Sequence, residues 1–110
     1  MSKFGNRRTW YDGRWFDSAA EARRYQELVL LQQAGLISGL ECQVPYPLTV
    51  NAQLICTYKA DFCYRDCERG VDVVEDVKGR ETAEFKIKRK LFLKRYPELV
   101  FRVVATEDVG

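Results

Sequence analysis

The chain has 110 residues, 46% apolar and 31% charged, a composition expected of one soluble globular domain able to bury a core without staples. It contains no histidine, which excludes Ser-His-Asp and Cys-His nucleophiles, His-ligated zinc and nucleases with a histidine base; any catalysis must run on carboxylates, Lys, Tyr or Cys. The net charge of +2 says little by itself, but basic residues cluster from Lys86 to Arg95.

At the N-terminus, Lys3, Arg7 and Arg8 surround Gly5-Asn6 and read as a basic arm without an apolar signal region. No run is long enough to span a bilayer, so the expected compartment is a reducing cytosol in which Cys42, Cys56, Cys63 and Cys67 stay free. The Cys63/Cys67 spacing is a weak zinc signal beside the plainer reading of small, mostly buried residues. Thr9 to Phe16 reads as a hairpin, because Asp12-Gly13 suits a type I′ turn and aromatic flanks suit strands. It is expected to be a lid covering one end of the core with Trp10 or Trp15; the alternative is a DNA-contacting hairpin with stacking aromatics.

Ser18 opens a helix to about Ala34, stopped by Gly35, and with Glu21 it forms a capping-box pattern. Ala22, Tyr25, Leu28, Val29 and Leu31 supply its apolar stripe, with Arg23, Arg24, Gln26 and Glu27 outside. Leu36 to Tyr46 reads as a strand, and Leu48 to Leu54 as a loop or irregular edge, because Pro45, Pro47 and Asn51 weaken a regular assignment.

Ile55 to Tyr64 and Val71 to Lys78 form a central antiparallel pair joined by a polar, Gly-ended connection. Strand parity puts Asp61 opposite Tyr58, Ala60, Phe62 and Tyr64, and gives Asp76 and Lys78 one face. Pairing would bring two carboxylates and an ammonium together, the layout of a divalent-metal hydrolytic site. Val71, Val73 and Val77 look like core; Glu75 shares their parity and needs a sheet end or a bulge to explain it. Thr82 can cap a second helix to about Tyr96, ended by Pro97, with Phe85, Leu91, Phe92 and Tyr96 toward the core. Lys86, Lys90 and Lys94 recur on one side of it as a candidate phosphate-binding row or a solvated face. Leu99 to Ala105 is a final strand. The order predicts an α/β (α+β) domain: a mixed sheet of about four strands flanked by two helices, behind an N-terminal hairpin.

Ser18-x-x-Glu21, Val44-Pro45-Tyr46, Tyr58 to Phe62, Asp76 to Gly79, and Pro97-Glu98-Leu99 leading into Phe101 to Val104 occur in an order that resembles the PD-(D/E)XK nuclease superfamily. Within it the chain is most like phage junction-resolving endonucleases, and it is also similar to small uncharacterised phage proteins with a Tyr-Asp-Gly hairpin in front. The resemblance runs from about Ser18 to Thr106, so the single domain 1–110 divides into an arm and hairpin, 1–16, and a nuclease-like core, 17–106. It implies that Glu21, Asp61 and Asp76 hold metal, with Glu75 competing for the Asp76 role, and that Lys78 is the catalytic lysine. It further implies Mg²⁺ with Mn²⁺ as substitute, branched DNA as substrate and a phage protein of recombination or replication in the host cytoplasm. DNA contacts are expected from Lys86, Lys90, Lys94, Arg7 and Arg8.

The chemistry agrees without the family, since oxygen donors with neither His nor thiolate select hard cations. Two symmetric cuts in a junction call for a homodimer, through the Trp10/Trp15 hairpin or the Pro45 to Leu54 edge. Against the enzyme stand a non-catalytic DNA-binding accessory protein and a cysteine-zinc module. Within the enzyme class, resolvase, flap and nicking nucleases stay open.

Overall fold

In the computed structural model, which describes residues 7–109, Asp12 and Gly13 take φ of 53° and 78°. They close a two-residue turn between β1 (Thr9–Tyr11) and β2 (Arg14–Phe16), as the Asp-Gly pair predicts. Lys3, Gly5 and Asn6 of the expected arm lie outside the described residues. The pleat assigns the hairpin's side chains differently from the expected lid. Phe16, on the inner face, is 1% exposed and packs on Tyr25, whereas Trp10 and Trp15 share the outer face at 58% and 53% exposure. The hairpin does cover the core, but with Phe16.

The first helix, α1 (Ala19–Gln33), starts where Ser18 Oγ accepts from Glu21 N at 3.1 Å. Its stripe buries Ala22, Tyr25 and Leu28, and Gly35 follows with φ of 79°. Arg24, expected outside, is half-buried and turned to the sheet.

The predicted loop at Leu48 to Leu54 is strand instead. β3 (Ile37–Val50) and β4 (Gln53–Asp66) form one long antiparallel hairpin around Asn51 and Ala52, whose φ values are 51° and 65°. Pro45 and Pro47 fit because β3 is an edge strand: the ladder to β4 continues through Pro45↔Lys59 and Pro47↔Thr57. β5 (Val71–Lys78) pairs antiparallel with β4. Thr82 then caps α2 (Ala83–Arg95), Thr82 Oγ1 accepting from Phe85 N, and β6 (Val100–Ala105) returns parallel to β5. The architecture is α+β: a four-stranded mixed sheet in the order β3-β4-β5-β6, two helices and the two-stranded N-terminal hairpin. Among the described residues no helix is long and apolar enough to cross a membrane.

Neighbours Val73 and Val74 on β5 belong to different cores, so α1 and α2 lie on opposite sheet faces. The α1 core gathers Phe16, Tyr25, Leu28, Phe62, Tyr64 and Val73; the α2 core gathers Leu48, Tyr58, Ala60, Val74, Phe85 and Phe92. Each fully buried Val, Leu or Phe among them contributes about 1.5–3 kcal/mol. Ala60 and Phe62 share strand parity yet sit in opposite cores. The pleat of β4 therefore turns over at Asp61. β3 turns over beside it, from Cys42 on the α1 side to Tyr46 and Leu48 on the α2 side, through Gln43 at φ 56°.

Candidate functional site

The turnover opens a gap in the sheet. The β4–β5 ladder runs from Asp66↔Val71 to Phe62↔Glu75 and stops, so the next position, Asp61 opposite Asp76, is unpaired. Asp61 fills the break with its side chain, Oδ2 accepting from Val77 N at 2.8 Å. On the neighbouring strand Asp76 is 2% exposed and Lys78 Nζ stands 3.3 Å from its Oδ2, the shared side expected from their spacing. Lys78 also lies 4.6 Å from the Phe85 ring centre, where cation–π attraction supports the ammonium from below.

From the first turn of α1, Glu21 reaches the same place at 4% exposure. Its backbone N–H completes half of the capping box with Ser18. Its carboxylate does not answer back: Oε1 accepts from Gln43 Nε2 at 2.7 Å. The positive-φ residue that turns over β3 thus also holds the helix acid.

The electrostatics record the crowding. Burial, then the negative charges of Asp17 and Asp76, push Glu21 up to about 7, with Lys78 and Gln43 working the other way. Burial, then Asp76 and Glu21, push Asp61 up to about 9 against the Val77 N–H. Tyr58 is also driven up, by burial and then by the Asp76 and Asp61 charges. Among the described residues, Tyr58 Oη and Asp76 Oδ2 are the two buried side-chain oxygens that lack a hydrogen-bond partner. Lys78 balances the Asp76 charge without a bond of hydrogen-bond geometry. Buried oxygens without a partner are costly, and these two, a hydroxyl and a carboxylate, act on one another electrostatically.

Glu21, Asp61 and Lys78 line a cavity of about 660 Å³ with Arg7, Arg80 and Thr106 on its walls, and Asp76 lies against Lys78 rather than on the lining. Of the expected residues, Glu21, Asp61, Lys78 and Arg7 line this cavity, and Asp76 adjoins them through Lys78. Glu75 does not. It is fully buried on the α1 face, where Arg24 Nε and Nη2 donate to its two oxygens at 2.6 and 3.0 Å and Tyr64 Oη donates at 2.7 Å. The register has no bulge at Glu75; an ion pair with α1 explains its parity, and its expected competition with Asp76 is excluded by the side it faces. Arg8 lies over the Trp15 ring at 4.8 Å. Lys86, Lys90 and Lys94 are exposed, make no ion pair among the described residues and lie off the cavity. The nearer α2 cation is Arg89, over Phe85 at 5.1 Å and paired to Glu81 at 3.0 Å.

The sequence reading missed Gln43, Tyr58 and Arg80. Arg80 follows the Asp76-x-Lys78-Gly79 run directly and was legible as a further cation; Gln43 and Tyr58 carry no signal without the sheet register. Among the described residues, no three His, Cys, Asp or Glu side chains already stand at metal-holding spacing. The donors that crowd here are all oxygens, which in kind suits Mg²⁺ or Mn²⁺ over softer ions. The four cysteines are free thiols, Cys67 exposed and the others half-buried.

No match was found among curated proteins or among solved structures. One family model does match, across residues 1–107, and so spans the hairpin, both helices and every acid of the site. On that match the chain belongs to the family described as "Protein of unknown function (DUF1064)".

Proposed function

We propose that this protein is a metal-dependent DNA endonuclease with a PD-(D/E)XK-like site, hydrolysing phosphodiester bonds in branched DNA. One observation carries the reading: Glu21, Asp61, Asp76 and Lys78 come near one another from α1, β4 and β5 at a break in the sheet, beside a cavity that Glu21, Asp61, Lys78, Arg7 and Arg80 line. An ion-paired surface strand would not gather three mutually repelling acids, two of them buried.

Asp61, Asp76 and Glu21 would hold the cation, Glu21 and Asp61 from the cavity lining and Asp76 from beside Lys78. Mg²⁺, or Mn²⁺ in its stead, supplies an activated water and neutralises phosphate oxygens when bound. Lys78 orients the attacking water or holds a non-bridging phosphate oxygen, with its ammonium kept in place by Asp76 and Phe85. Arg7 and Arg80 draw the phosphodiester into the cavity, and Lys86, Lys90 and Lys94 add affinity along the neighbouring backbone. Gln43 positions Glu21 from behind.

Paired cuts across a junction require two such sites, so the reading includes a homodimer; Val50, Leu54 and Ile55, exposed at the tip of the β3–β4 hairpin, suit the contact. The setting is DNA recombination or replication of a phage in its host's cytoplasm.

The test is one gel: labelled four-way junction, flap, nicked and linear duplex DNA, each with Mg²⁺ or Mn²⁺, for the wild type and Lys78→Ala. Cleavage of branched DNA by the wild type alone is expected. No cleavage of any substrate with either ion, or equal cleavage by Lys78→Ala, refutes the reading. A strict monomer by light scattering, with cleavage retained, assigns the chain to the flap or nicking class.

A further inference from the structure

Trp10 and Trp15 are paired across the N-terminal hairpin on its solvent face, edge to face with ring centres 5.2 Å apart. More than half of each remains exposed, an arrangement that leaves a large apolar surface in water. The hairpin does not need them for anchorage. Phe16 is buried against Tyr25, Tyr11 also meets Tyr25, and Tyr25 Oη donates to Asp12 Oδ2 at 3.0 Å, all from the other face.

Charge and position say what the outer face is for. Arg8 lies 4.8 Å from the Trp15 ring centre, and Arg7 and Asp17, one at each end of the hairpin, line the cavity of the acids. The hairpin rises from the rim of that cavity. Trp15 is two residues from Asp17 and Trp10 three from Arg7, which at strand spacing is about 7–10 Å, or roughly two to three stacked nucleotides. Exposed rings beside guanidinium groups are the combination that binds unpaired bases and their phosphates, because every base offers a π face.

We infer that Trp10 and Trp15 form a stacking platform for unpaired DNA bases next to the cleaved phosphodiester, so that the enzyme selects branched DNA with single-stranded character over intact duplex. This rests on the nuclease reading for its purpose, though not for its test. Arg8 fixes the neighbouring phosphate, and Arg7 hands the backbone on to the cavity.

The experiment uses the full chain in EDTA, so binding is read apart from cleavage. Because the chain has two tryptophans, its intrinsic fluorescence reports this face directly. Oligothymidylate is expected to quench it, and a blunt duplex of equal length is not. Trp10→Ala and Trp15→Ala should each weaken oligothymidylate binding roughly five- to 150-fold, with Trp→Phe at either position restoring most of it. Trp15→Leu keeps apolar cover without a ring, and must lose affinity like Trp15→Ala. Absence of quenching, or wild-type affinity in the Ala and Leu variants, overturns the inference even if the protein cuts DNA. Quenching with the stated reductions in affinity upholds the platform even if no substrate is cut, in which case the cleavage reading alone fails. Loss of self-association in Trp10→Ala with unchanged oligothymidylate affinity overturns it too, and makes the face a contact between copies of this chain.

Discussion

Replacing Arg24 by Met isolates the one buried charge pair among the described residues that lies apart from the cavity. Met keeps most of the apolar stem and removes the guanidinium that holds both oxygens of Glu75 at 2.6 and 3.0 Å. Glu75 would keep only the Tyr64 hydroxyl, itself shared with Arg102 Nη1 at 3.0 Å. Stranding a buried carboxylate in this way costs about 3–5 kcal/mol. The Arg24 side chain is 16% exposed, so water softens the loss and the lower end, about 3 kcal/mol, is expected. Urea unfolding at pH 7 should show it as a fall of about 1–3 M in the midpoint with an unchanged slope. Glu75→Gln removes the charge but leaves Arg24 its contact with Glu27 at 3.1 Å, and should cost about 1–2 kcal/mol. In the double variant the combined cost should fall short of the sum by at least about 1 kcal/mol. A single-variant cost below about 1 kcal/mol, or simple additivity, refutes the network as described.

Asp61→Asn, Asp76→Asn and Lys78→Ala should each lower DNA cleavage by ~10²-fold or more while the circular dichroism spectrum stays native, and near wild-type rates in all three would remove them from the site. Glu21→Gln keeps the Ser18 cap, so its melting temperature should hold while cleavage is lost; retained cleavage with unchanged metal dependence would return Glu21 to a purely structural role. In EDTA the folded state holds protons on Glu21 (4.5 rising to about 7) and Asp61 (3.8 rising to about 9) that the unfolded chain has released. Native protons then exceed unfolded ones, so stability is greatest below about pH 4 as far as these groups go, and is lost as pH climbs toward 9. Thermal melts should show that decline and Asp61→Asn should flatten it; a melting temperature that rises across this window contradicts the crowding. Neutralising Lys86, Lys90 and Lys94 together should weaken DNA binding and reduce its log–log salt slope by up to about 0.9 for each phosphate no longer neutralised, and an unchanged slope makes the row a solvated face.

The elements with local signals were legible. Asp12-Gly13 foretold its turn, Ser18 and Thr82 their caps, and strand parity the shared side of Asp76 and Lys78. What escaped depends on partners distant in sequence. Glu75 looked misplaced because its explanation, Arg24, stands 51 positions away on a helix. The two prolines suggested a loop because a sequence does not say which strand is the edge. Ala52 at φ 65° and Gln43 at 56° are residues that carry no turn signal, so neither the long hairpin nor the turnover beside Asp61 was foreseeable. In strands as short as β1 and β2, alternation separates Phe16 from the tryptophans without saying which face goes inward.

The turnover of β3 and β4 divides one sheet between two cores with no buried residue in common. Substitutions in separate cores combine nearly independently when their sites share no neighbours. The half built on α1 carries Glu21, and the half built on α2 supports Lys78 through Phe85, while the two aspartates stand at the seam. Heritable variation can therefore reshape the basic helix or lengthen the β3–β4 arm while the helix acid keeps its place, so one half of the molecule is free to drift over generations around a fixed cluster of acids.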